Sequence, residues 1–217
     1  MYFVQTMARK KTFAGIFALV LMAAMMMALF GSGTGTASAG AKKLEFKMVP
    51  SNANIAKCLP KASAEVEIEG TRDNQRMTIE VKGLAPNTGY DFFVTQVPKA
   101  PFGLSWYQSD LHTNNKGEGS ATVRGIFSNE TFTVSPGALT TLGREGNPQT
   151  GASFGAVNMY HLGLWFNDPQ VPFNLGCEPG ATSPIVTPFN GEQHAGIQVL
   201  NTSNFADNAG PLKKFIP

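Results

Sequence analysis

The segment AEVEIEGTRDNQRMTIEVKG (Ala64–Gly83) consists of two alternating runs joined by a polar turn. In the first run Ala64, Val66 and Ile68 occupy every second position, and glutamates occupy the positions between them. Successive side chains of a β-strand point to opposite faces, so each run predicts a strand with one buried face and one solvated face. The intervening GTRDNQ is rich in turn residues, and the segment therefore predicts an antiparallel hairpin.

Further strand patterns follow this hairpin and are separated by turn residues. They are GYDFFVTQV, LSWYQSDLHT, SATVRGIF, TFTV, NMYHLGLWF and the short AGIQVLN. No window beyond residue 39 has a convincing helical period. Short strands separated by turns predict an all-β fold, an immunoglobulin-like antiparallel β-sandwich with Greek-key connections. A closed barrel is the alternative.

Two parts of the chain lack the strand pattern. Residues 136–156 contain five glycines and two prolines, which predicts a long flexible surface loop. Half of the 14 prolines lie between Pro169 and Pro217. Proline cannot donate to a ladder hydrogen bond, so residues 167–217 are predicted to form a long irregular carboxy-terminal segment that wraps the domain.

The amino terminus predicts a secretory signal peptide over residues 1–39. A basic start at residues 9–11 precedes the uncharged run Ile16–Phe30, and small residues ending in an A-x-A site follow. The apolar run has 15 residues, fewer than the roughly 20 that span a bilayer. We therefore expect a secreted, extracellular protein whose residues 40–217 form one domain. An uncleaved membrane anchor is the alternative.

Composition argues against nucleic-acid binding. Removal of the leader takes away three basic residues and no acidic ones, which leaves 14 Lys and Arg against 15 Asp and Glu. A domain that binds nucleic acid would carry a basic patch or stripe. The sequence also contains no motif that predicts a cofactor.

Two cysteines, Cys58 and Cys177, are present in the chain. An isolated pair in an exported protein predicts a disulfide, because the extracellular environment is oxidising. Neither cysteine has a nearby histidine or a C-x-x-C partner, which argues against a metal site at this pair.

Two local resemblances concern the corner GLAPNTGYDFFV (Gly83–Val94). It resembles a corner of fibronectin type III domains, which implies that the Tyr90 hydroxyl hydrogen-bonds back across the corner. With the preceding strand it also resembles the Greek-key corner of copper–zinc superoxide dismutases. The H-x-H copper pair of that family aligns with Phe92 and Val94, so the resemblance implies the fold without the copper site. The chain as a whole resembles uncharacterised secreted proteins of Gram-positive bacteria with the layout YHLGLWF…NGEQHAG. That likeness implies export and fold but no activity.

Two predicted strands place a tryptophan and a histidine on the face away from the expected core. His161 and Trp165 share one face of NMYHLGLWF, and Trp106, Asp110 and His112 share one face of LSWYQSDLHT. Exposed rings beside polar groups would suit a sugar or a peptide. Alternatively the proline-rich segment covers this face as a second small core, and we favour this interpretation.

These observations predict a non-catalytic binding or structural module whose partner is a cell-surface glycan or protein. A carbohydrate-binding or adhesion function through the aromatic face is one alternative. A metal-dependent enzyme that uses His112, His161 and His194 is another, although these histidines lack local ligand spacing. The chain has no G-x-S-x-G nucleophile motif.

Overall fold

The computed structural model of the protein describes residues 42–136, 144–146, 153–190 and 193–217. The predicted signal peptide lies outside these ranges and stays a prediction. None of the helices in the described ranges is long and apolar enough to cross a bilayer. The strands are β1 (Lys42–Pro50), β2 (Ser63–Gly70), β3 (Gln75–Lys82), β4 (Gly89–Thr95), β5 (Ser105–His112), β6 (Gly119–Gly125), β7 (Phe132–Pro136), β8 (Arg144–Gly146), β9 (Ser153–Asn158), β10 (His161–Phe166), β11 (Thr187–Asn190), β12 (Gln193–Ala195) and β13 (Gln198–Asn201). The helices are α1 (Ala53–Cys58), α2 (Gln170–Asn174) and a 3₁₀ helix (Pro211–Lys214).

Eight of these strands form one antiparallel sheet in the order β5-β4-β10-β13-β1-β2-β3-β6. The remaining strands form a three-stranded sheet, β7-β9-β8, and a hairpin of β11 and β12. The predicted all-β antiparallel class is confirmed. Strand β3 pairs with β6, whereas β4 pairs with β5, so the chain crosses over between β3 and β4 as in a Greek key.

The eight-stranded sheet is nearly closed. Strand β1 joins its two halves, because Lys42–Met48 pair with β2 whereas Val49 and Pro50 pair with β13. On the opposite side the edge strands β5 and β6 lie beside each other without forming a ladder in the described chain. They are closest near their connecting turn, where a Cβ added to Gly119 would lie 2.4 Å from the His112 carbonyl oxygen. The finer immunoglobulin-like arrangement stays a prediction.

The predicted hairpin is β2 and β3, paired over its full length from Ser63↔Lys82 to Gly70↔Gln75. Its inward side chains meet those of β4, β10 and β13 in one core. Burying each large aliphatic or aromatic side chain contributes about 1.5–3 kcal/mol. Almost completely buried members of this core are Val66, Ile68, Met77, Ile79, Val81, Phe92, Leu162, Leu164 and Leu200.

The outward face of the hairpin and β1 is solvated, as its glutamates predicted. Ion pairs connect Lys43 to Glu67 at 2.8 Å and Lys47 to Glu65 at 3.4 Å. All four side chains are at least one-third exposed, so each pair contributes about 0–1 kcal/mol. This face needs no covering layer.

The corner between β3 and β4 has the hydrogen bond implied by its resemblance to fibronectin type III domains. The Tyr90 hydroxyl accepts a hydrogen bond of 3.0 Å from the Ala85 backbone N–H, and the Tyr90 ring is completely buried. A buried phenol without a partner would destabilise the core, so this bond fixes the entry of β4 into the sheet.

The disulfide between Cys58 and Cys177 is confirmed, with Cα atoms 5.2 Å apart. Cys58 ends α1, whose first turn is capped by the Asn52 side chain, and Cys177 follows α2. The bond therefore ties the segment after β1 to the carboxy-terminal segment.

In two regions the observed strands differ from the predicted arrangement. Strand β8 and most of β9 lie within residues 136–156, which were predicted to be loop. In the proline-rich segment, the predicted short strand in AGIQVLN is present as β13, which lies between β10 and β1 rather than wrapping the outside. This is possible because Gln198–Asn201 contains no proline and can pair on both sides.

Candidate functional site

The outer face of β4 and β10 carries a second, smaller core around Trp165. The Trp165 side chain is 1 % exposed and packs with Phe93 and Ala195. The rings of Phe93 and Phe102 meet it edge to face, with centroid distances of 5.4 and 4.9 Å. Phe102 comes from the loop after β4 and Ala195 from β12. Trp165 is therefore a packing residue that is closed to a ligand.

Gly163 creates the space for the Trp165 ring. A Cβ at position 163 would lie 2.3 Å from Trp165 Cζ3 and 2.7 Å from Gln198 Nε2. Both distances are shorter than any ordinary carbon contact, so the ring lies directly over the glycine. The glycine inside HLGLWF is thus a packing requirement of the strand.

His161 is completely buried and uses both ring nitrogens. Its Nε2 lies 3.1 Å from the Asp207 carbonyl oxygen, which can only accept, so Nε2 carries the proton. Its Nδ1 lies 2.9 Å from Thr202 Oγ1 and accepts from that hydroxyl. Thr202 Oγ1 also accepts from the Leu162 backbone N–H at 3.1 Å. Burial lowers the pKa of His161 and so favours the neutral ring, although the nearby carbonyl groups and the Asp207 charge act in the opposite direction.

A β-bulge in β5 changes the predicted grouping of its side chains. Ser109 pairs with Phe92 but Tyr107 pairs with Phe93, which leaves Gln108 as the extra residue. The alternation reverses there, so Tyr107 lies on the outer face with Asp110. Trp106 pairs with Val94, an inward residue of β4, and lies on the opposite side of β5.

The ligand-binding residues predicted from the sequence are therefore divided among three environments. Trp106 is 58 % exposed at the sheet edge, and Asp110 and His112 are exposed on the outer face. His161 and Trp165 are buried. A single surface formed by all five residues is not present.

A polar row crosses the outer face of β4 and β5. Asp91 is buried, lies directly opposite Asp110, and accepts a hydrogen bond of 2.9 Å from Asn167 Nδ2. The His112 ring lies across Gly89, where a Cβ would be 3.4 Å from its Nε2 and 3.5 Å from Asn167 Cβ. We define the Tyr107 face as Tyr107, Asp110, His112, Asp91 and Asn167.

Tyr107 joins this polar row to the aromatic cluster. Its ring meets Phe93 edge to face at 5.5 Å and is 46 % exposed. Partial burial, the hydrogen bond to Asp110 and the negative charges of Asp110 and Asp91 raise the pKa of Tyr107 to about 12. The phenol thus lies beside a carboxylate, with much of its ring open to solvent.

The Tyr107 face combines chemistry that suits a polyhydroxylated ligand. An exposed ring offers a stacking surface, and the Asp110 carboxylate, the His112 imidazole and the half-buried Asn167 amide offer hydrogen-bonding groups for hydroxyls. The buried Asp91 carboxylate holds the Asn167 side chain. The adjoining Phe93, Phe102 and Trp165 cluster makes the base of this face rigid. Pre-organised side chains lose little conformational entropy when a ligand binds.

His161 is not free to bind a metal in the predicted three-histidine site. Both nitrogens of His161 are engaged in buried hydrogen bonds, whereas His112 lies on the exposed outer face. The side chain of His194 lies outside the described residues. In the described part of the chain, no group of three or more His, Cys, Asp or Glu side chains could hold a metal ion.

A further buried titratable group lies away from this face. Glu178, next to the disulfide, is 7 % exposed and accepts a hydrogen bond of 2.9 Å from the Ile185 N–H through Oε2. Its Oε1 has no hydrogen-bond partner among the described residues. Burial raises the pKa of Glu178, although the bond from Ile185 acts in the opposite direction.

Comparison with known proteins leaves the site to be judged on its own geometry. No protein-family model matches the chain, and no curated protein is significantly similar to it. Sequence reasoning missed Tyr107, Asp91 and Asn167. The bulge that turns Tyr107 outward has no sequence signal, and the register that pairs Asp91 with Asp110 depends on the folded sheet.

Proposed function

We propose that this protein is an exported, non-catalytic module that binds a cell-surface carbohydrate through the Tyr107 face. The observation that carries the proposal is the exposed Tyr107 ring beside Asp110, at the end of a row of carboxylate, amide and imidazole groups. Export is supported by the leader pattern of residues 1–39 and is compatible with the disulfide. The resemblance to secreted proteins of Gram-positive bacteria agrees with this assignment.

The Tyr107 face supports sugar binding better than the aromatic face that was predicted from the sequence. That prediction relied on Trp106 and Trp165 together, and Trp165 is buried. Tyr107 and Asp110 instead place a ring and a carboxylate side by side on one surface. A pyranose could stack on the ring while its hydroxyl groups reach the polar row.

A glycan array probed with the full chain tests the proposal, with Tyr107→Ala and Trp106→Ala as a matched pair. Both aromatic residues are exposed neighbours on β5, but they lie on opposite sides of the strand. We expect Tyr107→Ala to lose binding to any glycan retained by the wild type and Trp106→Ala to keep it. The proposal fails if no glycan binds, or if only Trp106→Ala loses binding.

A further inference from the structure

One end of the eight-stranded sheet carries a group of exposed apolar side chains. Ile126 and Phe132 flank the loop after β6 and are 43 % and 52 % exposed. The Asn129 N–H in this loop donates a hydrogen bond of 2.9 Å to the Phe215 carbonyl oxygen. This bond places the next residue, Ile216, near the loop, and the Ile216 side chain is 62 % exposed. Two distant parts of the chain therefore contribute to one apolar surface.

Trp106 lies at the same end. The β5–β6 hairpin comes close at His112 and Gly119. Trp106 precedes His112 by six positions, and Gly125 follows Gly119 by six. The two strands run antiparallel, so Trp106 lies at about the level of Gly125, the residue before Ile126. It pairs with an inward residue of β4 and is nevertheless 58 % exposed, because no strand ladder covers the edge of β5 within the described residues.

The first described residue, Lys42, is also part of this surface. Its Nζ donates a hydrogen bond of 2.7 Å to the Ile216 carbonyl oxygen. Lys213 and Lys214, both exposed, lie in the 3₁₀ helix that precedes Ile216. We define the Lys42 end as Lys42, Trp106, Ile126, Phe132, Ile216 and these two lysines.

Residues 1–41 are joined to the fold at the Lys42 end and contain the uncharged run Ile16–Phe30. In the alternative of an uncleaved membrane anchor, residues 31–41 can span at most about 40 Å between this run and Lys42, which keeps the Lys42 end within reach of the membrane surface. Leu175, Ile185 and Val186 are also exposed, but they lie beside the disulfide, far along the chain from this connection. The connection therefore favours the Lys42 end over these residues.

We propose that the Lys42 end docks on the surface of an anionic lipid bilayer. Trp, Phe and Ile side chains at an interface bury about 5–10 Å into the headgroup and acyl boundary. Lysine stems lie along such a surface while their ammonium groups remain with anionic headgroups. This orientation is independent of the ligand proposed for the Tyr107 face.

Fluorescence quenching by brominated lipids tests the proposal on the full chain. The wild type contains two tryptophans, the exposed Trp106 and the buried Trp165. On phosphatidylglycerol vesicles with brominated acyl chains we expect part of the emission to be quenched, and Trp106→Phe to abolish that quenched part. In the Trp106→Phe background, Leu175→Trp places a reporter at the other exposed apolar group, and we expect it to keep its full emission.

Two double variants separate membrane docking from a general hydrophobic effect. Ile126→Ser with Ile216→Ser should reduce the quenching of Trp106, whereas Ile185→Ser with Val186→Ser should leave it unchanged. The proposal is overturned if Trp106 and the Leu175→Trp reporter are quenched equally. It is also overturned if the emission of Trp106 is not quenched in vesicle-bound protein. Dimers seen by light scattering without lipid and lost only in the Ile126→Ser, Ile216→Ser variant would overturn it in favour of a second copy.

Discussion

The Nδ1 atom of His161 lies 2.9 Å from the Thr202 hydroxyl oxygen, in a part of the fold that solvent does not reach. A second bond runs from Nε2 to the Asp207 carbonyl oxygen. Burial keeps the imidazole neutral, although that carbonyl favours protonation. The two bonds attach the loop after β13 to the start of β10. Protonation of the ring would replace an accepted hydrogen bond by an unfavourable buried charge.

We expect acid to destabilise the fold through His161. Its folded-state pKa is lowered below 6.5 by burial, so the unfolded chain takes up the proton first. The stabilisation is therefore complete above pH 6.5 and is lost as the pH falls towards the folded-state pKa. One such group changes the free energy of unfolding by at most about 1.4 kcal/mol per pH unit.

Urea unfolding of the wild type, His161→Gln and His112→Gln between pH 7.5 and pH 4.5 measures this effect. His161→Gln should unfold at lower urea concentration at neutral pH and show a weaker loss of stability with acid. His112→Gln, at an exposed site, should follow the wild type. Parallel pH curves for all three proteins would show that His161 does not couple folding to protons.

The close contact of Trp165 with Gly163 predicts a strong effect of one methyl group. In Gly163→Ala the new carbon would overlap the indole ring, at 2.3 Å from Cζ3. We expect a loss of about 1–3 kcal/mol in the free energy of unfolding, as in other overpacked cores. Gly89→Ala is the matched control, because its Cβ meets its nearest neighbour at an ordinary 3.4 Å. Equal stability of the two variants would contradict this packing.

The Cys58–Cys177 bond closes a loop of 119 residues in sequence. On the chain-entropy model a loop of this size stabilises the folded state by up to roughly 4–5 kcal/mol. We expect the Cys58→Ala, Cys177→Ala double variant to unfold at a much lower urea concentration than the oxidised wild type. Reduced wild type should resemble the double variant, and a difference between them would assign the loss to packing around the two side chains.

The Tyr107 phenol reports on the geometry of the proposed site. Its pKa of about 12 depends in part on the bond to the Asp110 carboxylate and on that charge. We therefore expect Asp110→Asn to move the pKa of Tyr107 towards its ordinary value of about 10. The resonance of ¹³C-labelled tyrosine, assigned with Tyr107→Phe, measures this shift. Asp168→Asn, at an exposed position after β10, should leave it unchanged.

Glu178 is expected to destabilise the protein at neutral pH. Its folded-state pKa is raised by burial, so the folded protein holds this proton more tightly than the unfolded chain. Stability should therefore fall as the pH rises from 4.5 towards the folded-state pKa. Glu178→Gln keeps an oxygen for the Ile185 N–H and should raise the melting temperature at pH 7.5. The two proteins should become similar near pH 4, and an opposite trend would show that Oε1 is stabilised as a carboxylate.

The sequence predicted those elements whose side chains alternate strictly. The β2–β3 hairpin follows directly from its alternating residues, and the Tyr90 corner follows from GLAPNTGY. Strand β1 has an equally regular pattern, with Leu44, Phe46 and Met48 alternating with charged residues, and this signal could have predicted it. Strands β8, β11 and β12 have only three or four residues, too few for a periodicity to be recognised.

The candidate site depended on structure that has no local pattern. Strict alternation along LSWYQSDLHT placed Trp106 with Asp110 and left Tyr107 on the other side. Because of the bulge at Gln108, Tyr107 instead shares the outer face with Asp110, and Trp106 lies on the other side. Burial of His161 similarly depends on residues 202–210, which approach β10 only in the folded protein. Periodicity assigns a side chain to a face of its strand, but the covering of that face is a tertiary property.

Strand β13 fills the position between β10 and β1, although its residues 198–201 lie some 150 residues after β1 in the chain. Until that segment is available, β1 has only β2 as a neighbour and β10 has only β4. A polypeptide that crosses a membrane from its amino terminus would thus keep both halves of the sheet apart during most of its passage. Pairings between segments so distant in the chain make folding slow, because the loop between them must close before the contacts form.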